Sequence, residues 1–333
     1  MSHPTIFDVA RRAGVSKSLV SMVMRGATNV SDERRARVIA AAEELGYRPN
    51  AAAQSLVRQK SFVMGVIVSD LHNTFFADVI DGIDNAVRSV GYRALLVSGH
   101  LNADRETEAL ETLLRLRADA VILAGPAVDI DDVVAAAASV PLVVAGAVSS
   151  HAAIPSVTTD DLRGAALAVD HLVELGHKKI SHIDGGDALS SRLRRQGYEA
   201  AMRRHGLEPR VVSGSFTRDG GIHGAQTLLA GDDEPTAIFA ANDLAAMGVL
   251  SVLHDSGADV PGELSVVGYD NTAVAQSSPI PLTTIDQPRT ELGEVAARLA
   301  LERINDGTDV QSVVLEPTLV IRDTTVTPTH SRQ

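Results

Sequence analysis

The chain has 333 residues, 45% apolar content, no cysteine and a formal net charge of -12. That length exceeds one small module and points to two or three domains. The missing cysteine excludes disulfides and thiolate-held metal, and no apolar run approaches the ~18 residues of a membrane helix.

Thr5 with Asp8 three residues on reads as a capping-box start, and Ile6, Val9 and Ala10 follow at helical spacing. Gly14 tolerates the positive φ of a sharp turn, and Ser16 can cap a second helix. On a 3.6-residue period Val20 and Val23 point one way, flanked by Leu19 and Met24. Lys17, Ser18, Ser21, Met22 and Arg25 lie opposite. A helix-turn-helix needs this arrangement, one apolar side buried and a short polar face free for a DNA groove; an ordinary helical hairpin is the alternative. Ser31-Asp32-Glu33 opens a third helix with the apolar stripe Val38, Ile39, Ala42 and Leu45, and Gly46 ends it. Tyr47 to Asn50 is a break. Ala51 to Arg58 is alanine-rich and too short for a stable isolated helix, so a partner or DNA would have to stabilise it. Gln59 to Ser61 is linker.

Residues 1–60 hold ten Lys/Arg against five Asp/Glu, a net +5, which leaves -17 on residues 61–333. A basic head on an acidic body suits a protein that meets phosphate at one end. Charged residues at Asp8, Arg11 and Arg12 interrupt any hydrophobic leader, so cytoplasmic residence is expected.

From Phe62 the pattern changes to strands alternating with helices. Strands are expected at 62–69, 93–98, 120–124, 142–145 and 157–159, with helices over 75–90, 104–117 and 131–138. A second set follows: strands at 180–183, 211–213, 237–240, 264–267 and 283–285, with helices over 162–175, 194–205, 219–229 and 244–255. A helix over 289–304 and a final run at 313–322 close the chain. This is two doubly wound α/β units with parallel sheets behind an all-α head. Ligands of such sheets sit at the carboxyl ends of the strands, where Asp70, Asp160, Asp184, Asn242, Asp243 and Asp270 recur. Each alone is better read as a cap or loop residue; together they describe a polar cleft.

An enzyme is the rival for a two-lobed α/β chain, yet the phosphate-cradling loop, the dinucleotide fingerprint, the nucleophile elbow and H-E-x-x-H are all missing. No metal or cofactor site is expected. A solute-binding protein would share the core but not the basic head.

Several stretches carry a resemblance: TIFDVARRAGVSKSLVS at 5–21, NVSDERRARVIAAAEELGYRPNAAAQSL at 29–56, LVELGHKKI at 172–180, AANDLAAMGVL at 240–250, LSVVGYDN at 264–271 and LTTIDQP at 282–288. In this order they resemble the LacI/GalR family of bacterial transcription regulators over essentially the whole length. The resemblance implies a helix-turn-helix head (1–49), a hinge helix and linker (50–61) and a core like periplasmic sugar-binding proteins (62–328), with a short tail (329–333). One lobe would take 62–160 plus 290–310, the other 161–289 plus 311–328. It further implies a homodimeric repressor on a near-palindromic operator, switched by a small effector in the interlobe cleft.

Within the resemblance, Ser16, Asn29 and Asn50 would hold phosphates, Thr5 and Ser21 lie on the DNA side, and Lys17, Ser18 and Met22 occupy the base-reading positions. Lys17 can donate to guanine, whereas Met22, where the family usually has arginine, offers at most contact with a thymine methyl. Leu56 matches the hinge leucine that wedges into the minor groove, with Ala53 packed close. In the core, Asn73 and Phe75 fall in the first pocket loop and Phe216 offers a second aromatic face. Arg194 matches the pocket arginine, with Arg192 a weaker candidate, and Asn242, Asp270 and Gln287 would bond ligand hydroxyls. This set suits a sugar or polyol, with a nucleobase as the alternative. Gly146 and Asp161 depart from the family pattern.

Overall fold

A computed structural model describes residues 4–24, 26–47, 60–131, 133, 140–231, 234–306 and 310–328. The chain divides into two compact units, 1–61 and 62–333.

The first unit holds α1 (Ile6–Ala13), α2 (Lys17–Met24) and α3 (Asp32–Leu45). Thr5 starts α1 through Asp8, whose carboxylate accepts the Thr5 N–H at 2.9 Å and its hydroxyl at 2.7 Å. Gly14 takes φ +64 after α1, the left-handed turn the sequence requires. Val9, Val20 and Val38 are fully buried between the helices. So small a core needs staples. Arg37 Nη2 supplies one by donating to the Ala13 carbonyl in the turn, and Arg12 pairs with Glu44 at 2.6 Å. One part of the expected stripe fails: Ile39 is 42% exposed, and Ala41 takes its place against the core. The expected hinge positions Asn50, Ala53 and Leu56 lie outside the described residues.

The second unit contains two six-stranded sheets. The first has the order β11 (Val313–Leu315), β5 (Ser156–Thr159), β4 (Leu142–Ala145), β3 (Ala120–Ala124), β1 (Val63–Val68) and β2 (Arg93–Ser98), all parallel. Its faces are covered by α4 (Phe75–Ser89) with α11 (Arg289–Asp306), and by α5 (Ala103–Arg115). The second has the order β12 (Thr318–Val320), β10 (Thr283–Asp286), β9 (Ser265–Asp270), β8 (Ala237–Ala240), β6 (Ile180–Ile183) and β7 (Arg210–Val212). Around it pack α6 (Asp161–Glu174), α7 (Leu189–Arg204), α8 (Arg218–Leu229) and α9 (Asp243–Ser256), and the short α10 (Ala273–Ser277) follows β9. Nearly uninterrupted apolar strands such as Val63–Val68 are what burial on both faces demands. Among the described residues no helix is long and apolar enough to cross a membrane.

One expectation needs correction. The run 313–322 is not one strand: Val313–Leu315 pairs in parallel with β5, whereas Thr318–Val320 pairs antiparallel with β10. Glu316-Pro317 separates them, and proline cannot donate to a ladder. The last crossing between lobes therefore falls at 316–317 rather than 310–311, and the second sheet has one antiparallel edge. The segment expected as a helix over 131–138 lies mostly outside the described residues.

In lobe one, α4 and α11 approach so closely that glycine is needed on both. A Cβ on Gly82 would sit 2.1 Å from the Thr290 carbonyl oxygen, and one on Gly293 would sit 2.0 Å from that of Val79.

Candidate functional site

In the head, Ser16 Oγ accepts the Leu19 N–H at 3.2 Å and so caps α2, as expected. Val20 and Val23 turn inward, which leaves Lys17 and Ser18 exposed at the start of the helix. The Lys17 ammonium stands 4.8 Å from the centroid of the Phe7 ring, itself 59% exposed. Thr5 and Asn29 are exposed and Ser21 is half-buried. Met22 corrects the helical wheel: it is half-buried and packs with Leu19 against the head's core, so only part of it faces outward.

In the core, Arg194, Asp270 and Gln287 come together at the carboxyl ends of the second sheet's strands. Arg194 lies on the second turn of α7, which begins five residues earlier than expected because Leu189-Ser190-Ser191 joins the helix. Its Nε lies 2.8 Å from Asp161 Oδ1, and its Nη1 donates to the Ala241 carbonyl at 2.6 Å and stands 3.7 Å from Asp270 Oδ1. The guanidinium carbon is 3.7 Å from the centroid of the Tyr269 ring and 5.3 Å from that of Phe216. Asp161, Arg194 and Asp270 are all buried. Burial raises the Asp161 carboxyl above the ordinary range while Arg194 pulls it back down, and the acidic neighbours keep the guanidinium charged.

Asp270 ends β9 instead of following it, and takes φ +110. Its Oδ1 accepts from Gln287 Nε2 at 2.6 Å. Burial is also the first cause lifting its carboxyl, to about 7, with Arg194 opposing and the neighbouring Asp243 reinforcing. Asp243 is fully buried at the start of α9, where it accepts the Thr272 N–H at 2.7 Å, the Thr272 hydroxyl at 2.9 Å and the Thr284 hydroxyl at 2.6 Å.

Several candidates have structural duties. Asn242 caps α9 through Ala245 N–H at 2.9 Å, and its Nδ2 donates to the Phe216 carbonyl at 3.1 Å. Asn73 Oδ1 accepts the Phe75 N–H at 3.0 Å. Arg192 is exposed and donates to the Asp187 carbonyl, away from the cluster. Phe75 departs from the expected ligand platform: its ring is 6% exposed and meets Phe76 edge-on at 5.1 Å within the lobe-one core. Phe216 stays half-buried beside Arg194. Sequence reasoning missed Tyr269, whose place next to the conspicuous Asp270 was the available signal. It also missed the pairing role of Asp161, noted only as a departure from the family pattern.

A buried guanidinium between two carboxylates, an amide and aromatic faces has the groups to hydrogen-bond a small polar molecule, and a capped helix with an exposed basic start has the shape and charge to enter a groove. The model of bacterial regulatory proteins of the lacI family matches residues 5–50, and that of periplasmic binding proteins and sugar-binding domains of the LacI family matches residues 61–324. The chain belongs to the LacI family. It is a DNA-binding transcriptional repressor with an effector-binding domain. Catabolite control protein A of Priestia megaterium is 36% identical over 94% of this chain and 96% of its own length. The ribose operon repressor of Haemophilus influenzae is 34% identical over 96% and 98%. Among solved structures, the lac repressor dimer bound to operator and an anti-inducer superposes with a TM-score of 0.89 at 31% identity, covering 98% of this chain and all of that one. These relatives are transcriptional regulators, which argues against an enzymatic role for the cluster.

Proposed function

We propose that this LacI-family repressor works in the cytoplasm as a homodimer on a near-palindromic operator and takes a neutral polyhydroxylated effector, a sugar or polyol, between its lobes. The observation that carries the effector class is the set of unused hydrogen-bonding positions at Arg194, Asp270 and Gln287. Among the described residues, Asp270 Oδ2 and Gln287 Oε1 accept no hydrogen bond and Arg194 Nη2 donates none. Acceptors and a donor side by side match vicinal hydroxyls, each of which both gives and takes a proton. With Phe75 turned into the core, Phe216 is the aromatic face left of the expected pair, which favours a polyol over a flat nucleobase.

Support for the dimer comes from β2, an edge strand that exposes Leu95 and Leu96, with Leu71 and Leu101 exposed in neighbouring loops. Such an apolar edge needs a cover. In the head, Lys17 and Ser18 read bases, with Ser16, Thr5, Ser21 and Asn29 on the sugar-phosphate side.

Thermal unfolding of the full chain against D-ribose, cellobiose, myo-inositol, gluconate and hypoxanthine tests the effector class. A neutral polyol at a hundred times its Kd stabilises by about 2.7 kcal/mol, and Arg194→Ala abolishes that shift. A shift from hypoxanthine alone would overturn the polyol reading.

A further inference from the structure

Arg289 was not among the expected site residues. It opens α11 directly after the Gln287-Pro288 crossing, and its guanidinium spans the two lobes. Nε lies 2.8 Å from Asp78 Oδ2 on α4, in lobe one. On the lobe-two side, Nη1 donates to the backbone carbonyl of Asp270 and stands 3.3 Å from Asp286 Oδ1. The side chain of Arg289 is 12% exposed and that of Asp78 42%.

The residue gripped in this way is strained. Asp270 at φ +110 and Asn271 at φ +55 are successive non-glycine residues in the left-handed region. Such a conformation is costly for a residue with a side chain and persists only where its surroundings over-determine it. Within lobe two, Asp243 holds Thr272, Asn271 Nδ2 donates to Asp286 at 2.7 Å and Arg322 reaches Asn271 Oδ1. Arg289 adds a hold that originates in the other lobe.

We propose that Arg289 is the positioning residue that ties the Asp270 backbone to the angle between the lobes. A guanidinium is a rigid planar fork, so Nε and Nη1 cannot move independently. When the lobes open, α4 and α11 move together, Asp78 keeps the fork on lobe one, and Nη1 is drawn off the Asp270 carbonyl. The strained residue then moves the carboxylate away from Arg194 and Gln287. By linkage, a molecule that fixes that carboxylate fixes the lobe angle too. The functional half of this inference rests on Asp270 meeting the effector; the mechanical half does not.

Hydrogen exchange on the full chain, without effector or operator, tests the mechanical half. In Asp78→Asn, exchange in a peptide covering Tyr269–Thr272 should accelerate roughly tenfold although the substitution lies in the other lobe, while Ile180–Ile183 stays unchanged. Arg289→Leu should do the same. Arg289→Lys should follow the leucine variant, because one ammonium cannot hold both partners in a fixed fork. Unchanged exchange at 269–272 in Asp78→Asn, equal acceleration throughout both lobes, or wild-type exchange in Arg289→Lys would each overturn the proposal. Failure of the effector assignment is read separately, from the ligand-induced thermal shift and its loss in Arg194→Ala.

Discussion

Arg194 and Asp161 form an ion pair at 2.8 Å with both side chains about 95% removed from solvent. Two charges so placed stabilise only as a pair, since either one left alone is a buried uncompensated ion. Asp161→Ala should therefore destabilise the full chain by about 3–5 kcal/mol in urea unfolding. Asp161→Asn, which keeps an oxygen for Arg194 Nε, should cost clearly less. Equal losses in both would mean that the missing charge alone, and not the acceptor oxygen or the side-chain volume, sets the cost at this position.

The same pairing sets the charge a ligand meets. Arg194 is offset by Asp161, so Asp270 leaves the buried cluster net negative when ionised. Sugar phosphates and sugar acids should then shift the unfolding temperature less than their neutral counterparts, and Asp161→Asn should narrow the gap. A phosphate ester that outperforms its parent sugar on the wild-type protein would contradict this electrostatic reading.

His182 is fully buried in β6, stacked on Phe239 with centroids 4.7 Å apart. Nδ1 lies 2.9 Å from the Phe239 carbonyl, which can only accept, so Nδ1 carries the proton; Nε2 has no partner among the described residues. Burial lowers the imidazole from 6.5 to about 4. Its contribution is complete above pH 6.5, where folded and unfolded forms are both neutral. As pH falls from 6.5 towards 4 the unfolded state binds a proton that the folded state refuses, and stability drops by about 2 kcal/mol near pH 5. His182→Phe should remove that increment when urea midpoints at neutral and mildly acid pH are compared with wild type. An unchanged acid loss in the variant would place the sensitivity elsewhere.

Gly82 and Gly293 let α4 and α11 touch backbone to backbone. A methyl at either position must push the helices apart, at about 1–3 kcal/mol by the usual cost of overpacking. Gly82→Ala should lower lobe-one stability and raise exchange along both helices while leaving the second sheet intact. Wild-type stability would show that the crossing can widen freely.

On the head, Lys17→Ala should weaken binding to DNA selected from genomic fragments by about 1–3 kcal/mol, and more on selected than on random sequence. Equal weakening on both would reassign Lys17 from base reading to phosphate contact.

The alternation of the chain was legible because each buried strand is an apolar run and each helix an amphipathic one; Val63–Val68 and Phe75–Ser89 needed no tertiary knowledge. Arg194, Asp270 and Gln287 were legible as a set through the family resemblance, and the structure brings them together. What the sequence hid depends on neighbours distant along the chain. Phe75 looked like a free aromatic in a loop, and only the lobe-one core shows its ring enclosed. Ile39 fell on the helical stripe, yet it stays partly exposed in a groove beside Met24 and Tyr47. Asp161 is separated from Arg194 by 33 residues, and Arg289 from Asp78 by 211, so no local pattern could announce either pair.

The closing strands carry one more consequence. Val313–Leu315 completes the edge of the first sheet and Thr318–Val320 that of the second, and the following segment is pinned to lobe two by Thr324 Oγ1 on the Val266 carbonyl at 2.7 Å. During synthesis, then, neither half can reach its finished form until residues 313–324 have left the ribosome. A truncated polypeptide would present two unsealed sheet edges, marking it for clearance rather than for a promoter.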